Sequence, residues 1–226
     1  MIFKHDLIEL PKLNRIDGEQ RQYELPTGQR YPSVTTVLSN TADKSFLIEW
    51  KKRVGEPEVN KITQRSGRRG TAVHNLCEKL VFNQELNLKN EMPINTEMFN
   101  QVRRVLEAHV DSIRISEGYL YSHKLKVAGA VDLVASYNGS PAIIDFKTAM
   151  KQKRREWIED YFIQASMYSF MLYEMTGILH PKLVIIIAVE SEDRAQVFEC
   201  NVSKWINKAR DRCRLYHEKS LPEIPF

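Results

Sequence analysis

Val127-Ala-Gly-Ala-Val-Asp132 and Pro141-Ala-Ile-Ile-Asp-Phe-Lys147 are two short apolar runs that each close on an acid, the second with a lysine two residues beyond it. Runs of this length bounded by turn residues read as buried strands, and Asn138-Gly139 between them is a hairpin turn signal. Side chains alternate across a strand, so Asp145 and Lys147 leave the second run on the same face. If the runs are adjacent strands, Asp132, Asp145 and Lys147 meet at one sheet end, where a divalent cation and a phosphate could be held.

Working outward, Tyr119–Val127 is a third strand, giving Tyr119–Val127, Ala130–Ser136 and Ala142–Phe146 in succession. A helix is predicted over about Arg154–Thr176, then a continuous apolar strand Leu183–Val189, an outer strand Gln196–Cys200 and a closing helix Ser203–Lys219 capped by Ser203. Upstream, residues 1–32 read as short strands and turns around Asp17-Gly18 and Thr27-Gly28. Three helices follow to about Asn90: Ser33 is the N-cap of the first, Asp43 caps Lys44–Val54, and Ala72, Val73, Leu76, Leu80 and Val81 recur at helical spacing in the third. A further helix is predicted from about Thr96 to Ser116 with the stripe Phe99, Val102, Leu106, Val110 and Ile113. The expected organisation is a single domain over 1–226: strands and turns in 1–32, a helical part in 33–117, and a mixed α/β core in 118–226.

Composition narrows the classes. With 226 residues, 42% hydrophobic and 27% charged, the chain buries enough apolar surface to fold on one core, which argues against disorder. A net charge of +4 permits a polyanionic partner without demanding one. Cys77, Cys200 and Cys213 are odd in number and lack C-x-x-C spacing, so no disulfide framework, zinc site or iron–sulfur cluster is expected. Leu183 to Val189 is far shorter than a bilayer span, and Met1-Ile-Phe-Lys-His-Asp6 lacks a signal pattern. The expectation is a soluble cytoplasmic protein in a reducing compartment, with no membrane partner.

The two acids and the lysine suit phosphodiester hydrolysis, which needs an activated water and charge stabilisation at phosphorus. Mg²⁺ and Mn²⁺ take hard oxygen ligands, so Asp132, Asp145 and the backbone carbonyl of Phe146 are the expected metal ligands, with Lys147 reaching the attacking water or a phosphate oxygen. The triplet alone decides nothing, because acid-x-Lys occurs twice, the other instance being Glu49-Trp-Lys51 in a predicted helix. His74 can join the carboxylates on the metal, with Glu78 one helical turn behind it. Gln164 and Tyr168, four apart on one helical face, are positioned to contact substrate phosphate or orient Lys147. Lys51-Lys-Arg53, Arg65, Arg68, Arg69 and Lys151-Gln-Lys-Arg-Arg155, followed by Trp157, Tyr161 and Phe162, are candidates to track a nucleic-acid strand, Arg69 among the substrate-binding residues.

In this order, His74, Gly129–Asp132, Asp145–Lys147 and Gln164–Tyr168 resemble the motif set of the PD-(D/E)XK nuclease superfamily in its RecB-like branch. Tyr31-Pro-Ser-Val-Thr-Thr-Val-Leu-Ser-Asn-Thr41, then Phe46-Leu-Ile-Glu-Trp-Lys51 and Gly70 to His74, are similar to the mitochondrial genome maintenance exonuclease group and its stand-alone phage relatives. The resemblance covers about residues 31–190. It implies a restriction-endonuclease-like core, a mixed central sheet flanked by helices with an N-terminal helical layer, and a metal-dependent exonuclease acting on single-stranded DNA or flaps in replication, recombination or repair. It maps His74, Asp132 and Asp145 onto metal ligands, Lys147 onto the catalytic lysine, Gln164 and Tyr168 onto the substrate-side motif, and Ser33 and Thr35 onto a DNA-backbone contact. No P-loop is present, so no ATP is expected, and any unwinding falls to replication or recombination partners. Two other readings stay open: a structure-specific endonuclease on the same core, and a non-catalytic DNA-binding module, which would lack an acid or the lysine.

Overall fold

The computed structural model describes residues 2–219; Met1 and residues 220–226, the expected domain limits, lie outside the described residues. In chain order the elements are β1 (Lys4–His5), β2 (Asn14–Ile16), β3 (Gln22–Glu24), β4 (Arg30–Pro32), α1 (Val34–Thr41), α2 (Ser45–Val54), α3 (Glu56–Val81) and α4 (Pro93–His109). They continue as β5 (Val110–Ser122), β6 (Val127–Tyr137), β7 (Ser140–Ala149), α5 (Glu159–Thr176), β8 (Lys182–Val189), β9 (Gln196–Asn201) and α6 (Ile206–Lys219). The main sheet runs β1-β5-β6-β7-β8-β9, and β2, β3 and β4 form a small second sheet. β5, β6 and β7 are an antiparallel meander, whereas β7 and β8 are parallel, the chain returning through α5. This is the expected α/β architecture, a mixed central sheet flanked by helices.

Each sheet face carries its own apolar cluster. Leu183, Ile185, Ile187 and Val189 pack on one side with residues of α1, α5 and α6, while Val184, Ile186 and Ala188 pack on the other with residues of α3 and α4. A strand buried on both faces has no polar positions to alternate with, which explains the unbroken apolar run of β8.

Four elements differ from the sequence expectation, the first being the strand predicted over Tyr119–Val127, which is divided: Tyr119–Ser122 ends β5 and Val127 opens β6, with a turn between. The helix predicted to reach Ser116 stops at His109, and Val110 opens β5. Val110 and Ile113 satisfy a helical stripe only because register irregularities between Val110, Ile113 and Ile115 disturb the two-residue period of the strand. The segment is rich in β-branched residues, and β6 on one side and β1 on the other supply its hydrogen bonds, so sheet pairing overrides the helical reading. The helix predicted from about Arg154 begins as α5 only at Glu159, and every residue from Phe162 to Ser169 is buried, since the helix is sandwiched between the sheet and α6. Ser203 sits in a short 3₁₀ turn whose N–H is capped by Asn201 Oδ1, and α6 begins only at Ile206.

Candidate active site

The β6–β7 ladder pairs Tyr137 with Ser140 and runs as far as Leu133 with Ile144. At the next position the Asp132 side chain takes over, its Oδ2 accepting from Phe146 N at 2.7 Å. Where the strands part, Asp132 Oδ1 faces the opposite way, 3.6 Å from His74 Nδ1. The other imidazole nitrogen, Nε2, donates to the Phe146 carbonyl oxygen at 3.0 Å. A carbonyl only accepts, so the proton sits on Nε2 and leaves Nδ1 facing the carboxylates, the orientation that a ligating histidine fixed by a backbone carbonyl adopts.

A second carboxylate shares that nitrogen: Glu117 Oε1 also lies 3.6 Å from His74 Nδ1. Glu117 falls between the Ser116–Leu133 and Gly118–Val131 pairs, which sets it across the β5–β6 ladder from Asp132. Its φ of 50° is left-handed, a conformation that costs free energy for a residue with a Cβ and concentrates at functional sites. Ligand atoms of His74, Glu117 and Asp132 all lie within 4.8 Å of one another. Sequence reasoning missed Glu117 because it lay at the edge of the predicted helix; the available signal was an acid directly before Gly118, opposite an acid in the neighbouring strand.

Asp145 and Lys147 complete the group. Their side chains form an ion pair on one face of β7, and Asp145 is only 1% exposed. Neither Asp145 oxygen has a hydrogen bond of ordinary geometry, which is costly for a buried carboxylate. Burial raises the Asp145 carboxyl, against the pull of the Lys147 ammonium. Burial alone would lower Lys147, but Asp145 and Asp132 outweigh it and keep it protonated. For His74, too, burial opposes charge, yet Asp132 and Glu117 bring it up to about 9. An imidazole and two carboxylates converging in so negative a field, beside a third carboxylate paired with Lys147 through one oxygen, fit the oxygen-rich donor set that a hard divalent cation takes.

His74, Glu117, Asp132 and Lys147 open into a cavity of about 550 Å³ lined also by Ser33, Thr35, Gly129, Gln164 and Tyr168, with Asp145 buried behind them. Ser33 caps α1, its Oγ accepting from Thr36 N at 2.9 Å, and bridges to Ala128 of β6, which carries Thr35 to the rim. Gly129 packs tightly: a Cβ there would stand 3.0 Å from both Cε1 and Oη of Tyr168 and 3.3 Å from Val34 Cγ2, so those side chains would have to give way. Glu78 lines the same cavity.

Three expected residues are placed otherwise. Arg69 is 5% exposed and gives Nη1 to Glu190 Oε2 at 2.6 Å, with Arg65 on the other oxygen, so its guanidinium is consumed by an ion pair at the end of β8 and does not line the cavity. The Phe146 carbonyl accepts from His74 and, at 3.4 Å, from Lys147 Nζ, so it orients side chains where ligation was expected. Phe162, expected beside a nucleic-acid strand, is buried and stacked on Trp205 at 5.2 Å.

The mixed sheet flanked by helices is of restriction-endonuclease-like architecture, and the converging acids and lysine lie at one end of its meander. The sequence profile of the PD-(D/E)XK nuclease superfamily matches residues 40–212, and the chain belongs to that superfamily. It is similar to mitochondrial genome maintenance exonuclease 1 of Homo sapiens, 32% identical over 130 residues that make up 54% of this chain and 38% of the human protein. The Xenopus tropicalis protein of the same name is 30% identical over 138 residues, 58% of this chain and 39% of that one. The matched region thus spans about two fifths of the length of these curated relatives. Among solved structures, one from Eubacterium rectale described as a candidate exonuclease aligns with a TM-score of 0.47 and 13% identity, covering 67% of this chain and 65% of that one.

Proposed function

We propose that this chain is a Mg²⁺- or Mn²⁺-dependent exodeoxyribonuclease, one nuclease domain over residues 1–226, that prefers single-stranded DNA or flaps and serves replication, recombination or repair in a cytoplasmic setting. The observation that carries the reading is the meeting of His74, Glu117 and Asp132 within coordinating reach beside the buried Asp145–Lys147 pair. The names of the relatives support exonuclease over endonuclease action.

His74, Glu117 and Asp132, with Asp145 adjacent, would hold the cation. Once bound, a divalent ion polarises phosphoryl oxygens and supplies a water of lowered pKa. The protein's own groups do the rest. Phe146 holds the imidazole by its carbonyl and Asp132 by its N–H, fixing both donors before substrate arrives. Lys147 keeps its proton at Nζ and offers N–H groups to a phosphate oxygen or the attacking water. Gln164 and Tyr168 on the cavity wall, and Ser33 and Thr35 at its rim, position the strand.

The test is digestion of linear and circular single-stranded DNA, with Mg²⁺ and with chelator. Loss of the linear substrate alone, abolished by chelator, is expected. Cleavage of circles would convert the reading to the endonuclease, and no cleavage of either with Mg²⁺ or Mn²⁺ would overturn it.

A further inference from the structure

The β2–β3 hairpin places two cations at the mouth of the active-site cavity. Arg15 and Arg21 line it together with His74, Glu117, Asp132 and Lys147. Both guanidinium groups converge on a single oxygen: Arg15 Nε and Nη2 donate to Asp17 Oδ1 at 3.1 and 3.0 Å, and Arg21 Nε donates to the same atom at 2.9 Å. One exposed carboxylate oxygen held by three charged N–H donors is an anion-binding arrangement, and guanidinium donors match phosphate as well as carboxylate.

The place of the cluster gives it meaning. Asp17 and Arg21 also border a second recess of about 310 Å³ with Thr35, Thr36, Ser39 and Asn40 of α1, so the cluster stands where this recess joins the catalytic cavity through Arg21 and Thr35. The acids Glu78, Glu117 and Asp132 line the same cavity as the arginines, whose side chains are 43% and 41% exposed against 11% for Asp132. A strand whose scissile phosphate sits among the acids must run its next phosphates out past the mouth. Asp17 is 61% exposed on its side chain, free to swing into water when a better anion arrives, and exposed ion pairs of this kind hold their partners only weakly.

We propose that Arg15 and Arg21 form a phosphate subsite for a phosphodiester flanking the one that is cut, with the Asp17 carboxylate standing in for that phosphate when no strand is bound. The subsite rests on the nuclease reading above and extends it to how the strand is gripped. Asp17 is then a competitor for its own substrate's position, and its removal strengthens binding.

The experiment measures binding of a short fluorescein-labelled oligothymidylate by fluorescence anisotropy in Ca²⁺, across a range of salt, using the full chain and the variants Arg15→Gln, Arg21→Gln and Asp17→Asn, each checked by thermal melting. Each arginine variant is expected to raise Kd about tenfold, the loss of one charge-assisted contact, and to lower the slope of log K against log salt by about one. Asp17→Asn is expected to lower Kd. Replacing single phosphodiesters of the oligonucleotide by neutral methylphosphonates locates the contact: one position weakens wild-type binding and has no further effect in Arg21→Gln. Unchanged affinity and salt slope in both arginine variants, or weaker binding in Asp17→Asn, would overturn the subsite. Cleavage by wild type and by Lys147→Ala, run in parallel, reports on the nuclease reading separately, because the binding assay needs no turnover.

Discussion

Glu117 and Asp132 stand opposite each other on neighbouring antiparallel strands, and each brings one carboxylate oxygen to 3.6 Å from the same nitrogen, Nδ1 of His74. If this trio holds the cation, Glu117→Gln removes a charged oxygen ligand while keeping the side-chain volume. The expected result is an Mn²⁺ affinity lower by at least about tenfold in isothermal titration, with half-maximal cleavage shifted to correspondingly higher metal. Equal titration curves for the variant and the wild type would exclude Glu117 from the metal centre.

Gly129 offers a test of the cavity wall. A Cβ there is 3.0 Å from the Tyr168 ring and hydroxyl. Gly129→Ala therefore displaces Tyr168, at a stability cost of roughly 1–3 kcal/mol for overpacking. Denaturant unfolding measures that cost, and cleavage should fall by more than the lost fraction of folded protein explains. A variant as stable and active as wild type would show that Tyr168 yields freely.

Removing the ammonium from the buried pair strands Asp145. Lys147→Met is expected to lower cleavage at least about a hundredfold and to cost up to about 3–5 kcal/mol, with protonation of Asp145 returning part of it. The carboxyl, already raised by burial, moves up further once Lys147 no longer pulls it down. Carbon-detected NMR titration of Asp145 follows that shift. Adding Asp145→Asn should restore stability without restoring activity.

His180 predicts an acid limit on stability. The ring is fully buried, Nδ1 donating to the Ile178 carbonyl at 3.2 Å and Nε2 facing Arg114 Nη1 at 3.4 Å. Burial, against the favourable Ile178 carbonyl, depresses its pKa below 6.5, with Arg114 adding to the depression. Above about pH 6.5 neither folded nor unfolded imidazole binds a proton; below it the unfolded chain takes one up first, so stability falls with pH until the folded pKa is passed. Urea midpoints at about pH 7.5 and pH 5.5 should therefore separate less in His180→Gln than in wild type, and an equal separation would discount His180.

Much of the candidate site, as a group of residues that converge, was legible because those residues are set by local pattern. Asp132, Asp145 and Lys147 end apolar runs, and strand alternation alone puts the last two on one face. His74 and the Gln164–Tyr168 pair were readable from helical spacing and the order of motifs. Glu117 was not, because its position depends on strand pairing between segments distant in sequence and on a left-handed backbone that no local pattern announces. Arg69 looked like a strand contact for the converse reason: its charge is visible in the sequence, but Glu190, which neutralises it, lies 121 residues away. The role of the N-terminal hairpin was equally hidden, since Arg15 and Arg21 gain their meaning only from the cavity they border.

Asp132 spends one oxygen on holding β7 by Phe146 N and turns the other toward the histidine. Substituting it therefore does two things at once, unlatching the strand that carries Asp145 and Lys147 while deleting a donor. An inert Asp132 variant would report a damaged scaffold as readily as a missing ligand. A form intended to capture an uncut strand in its native pose is better made at Glu117, whose loss leaves the seam between those strands closed.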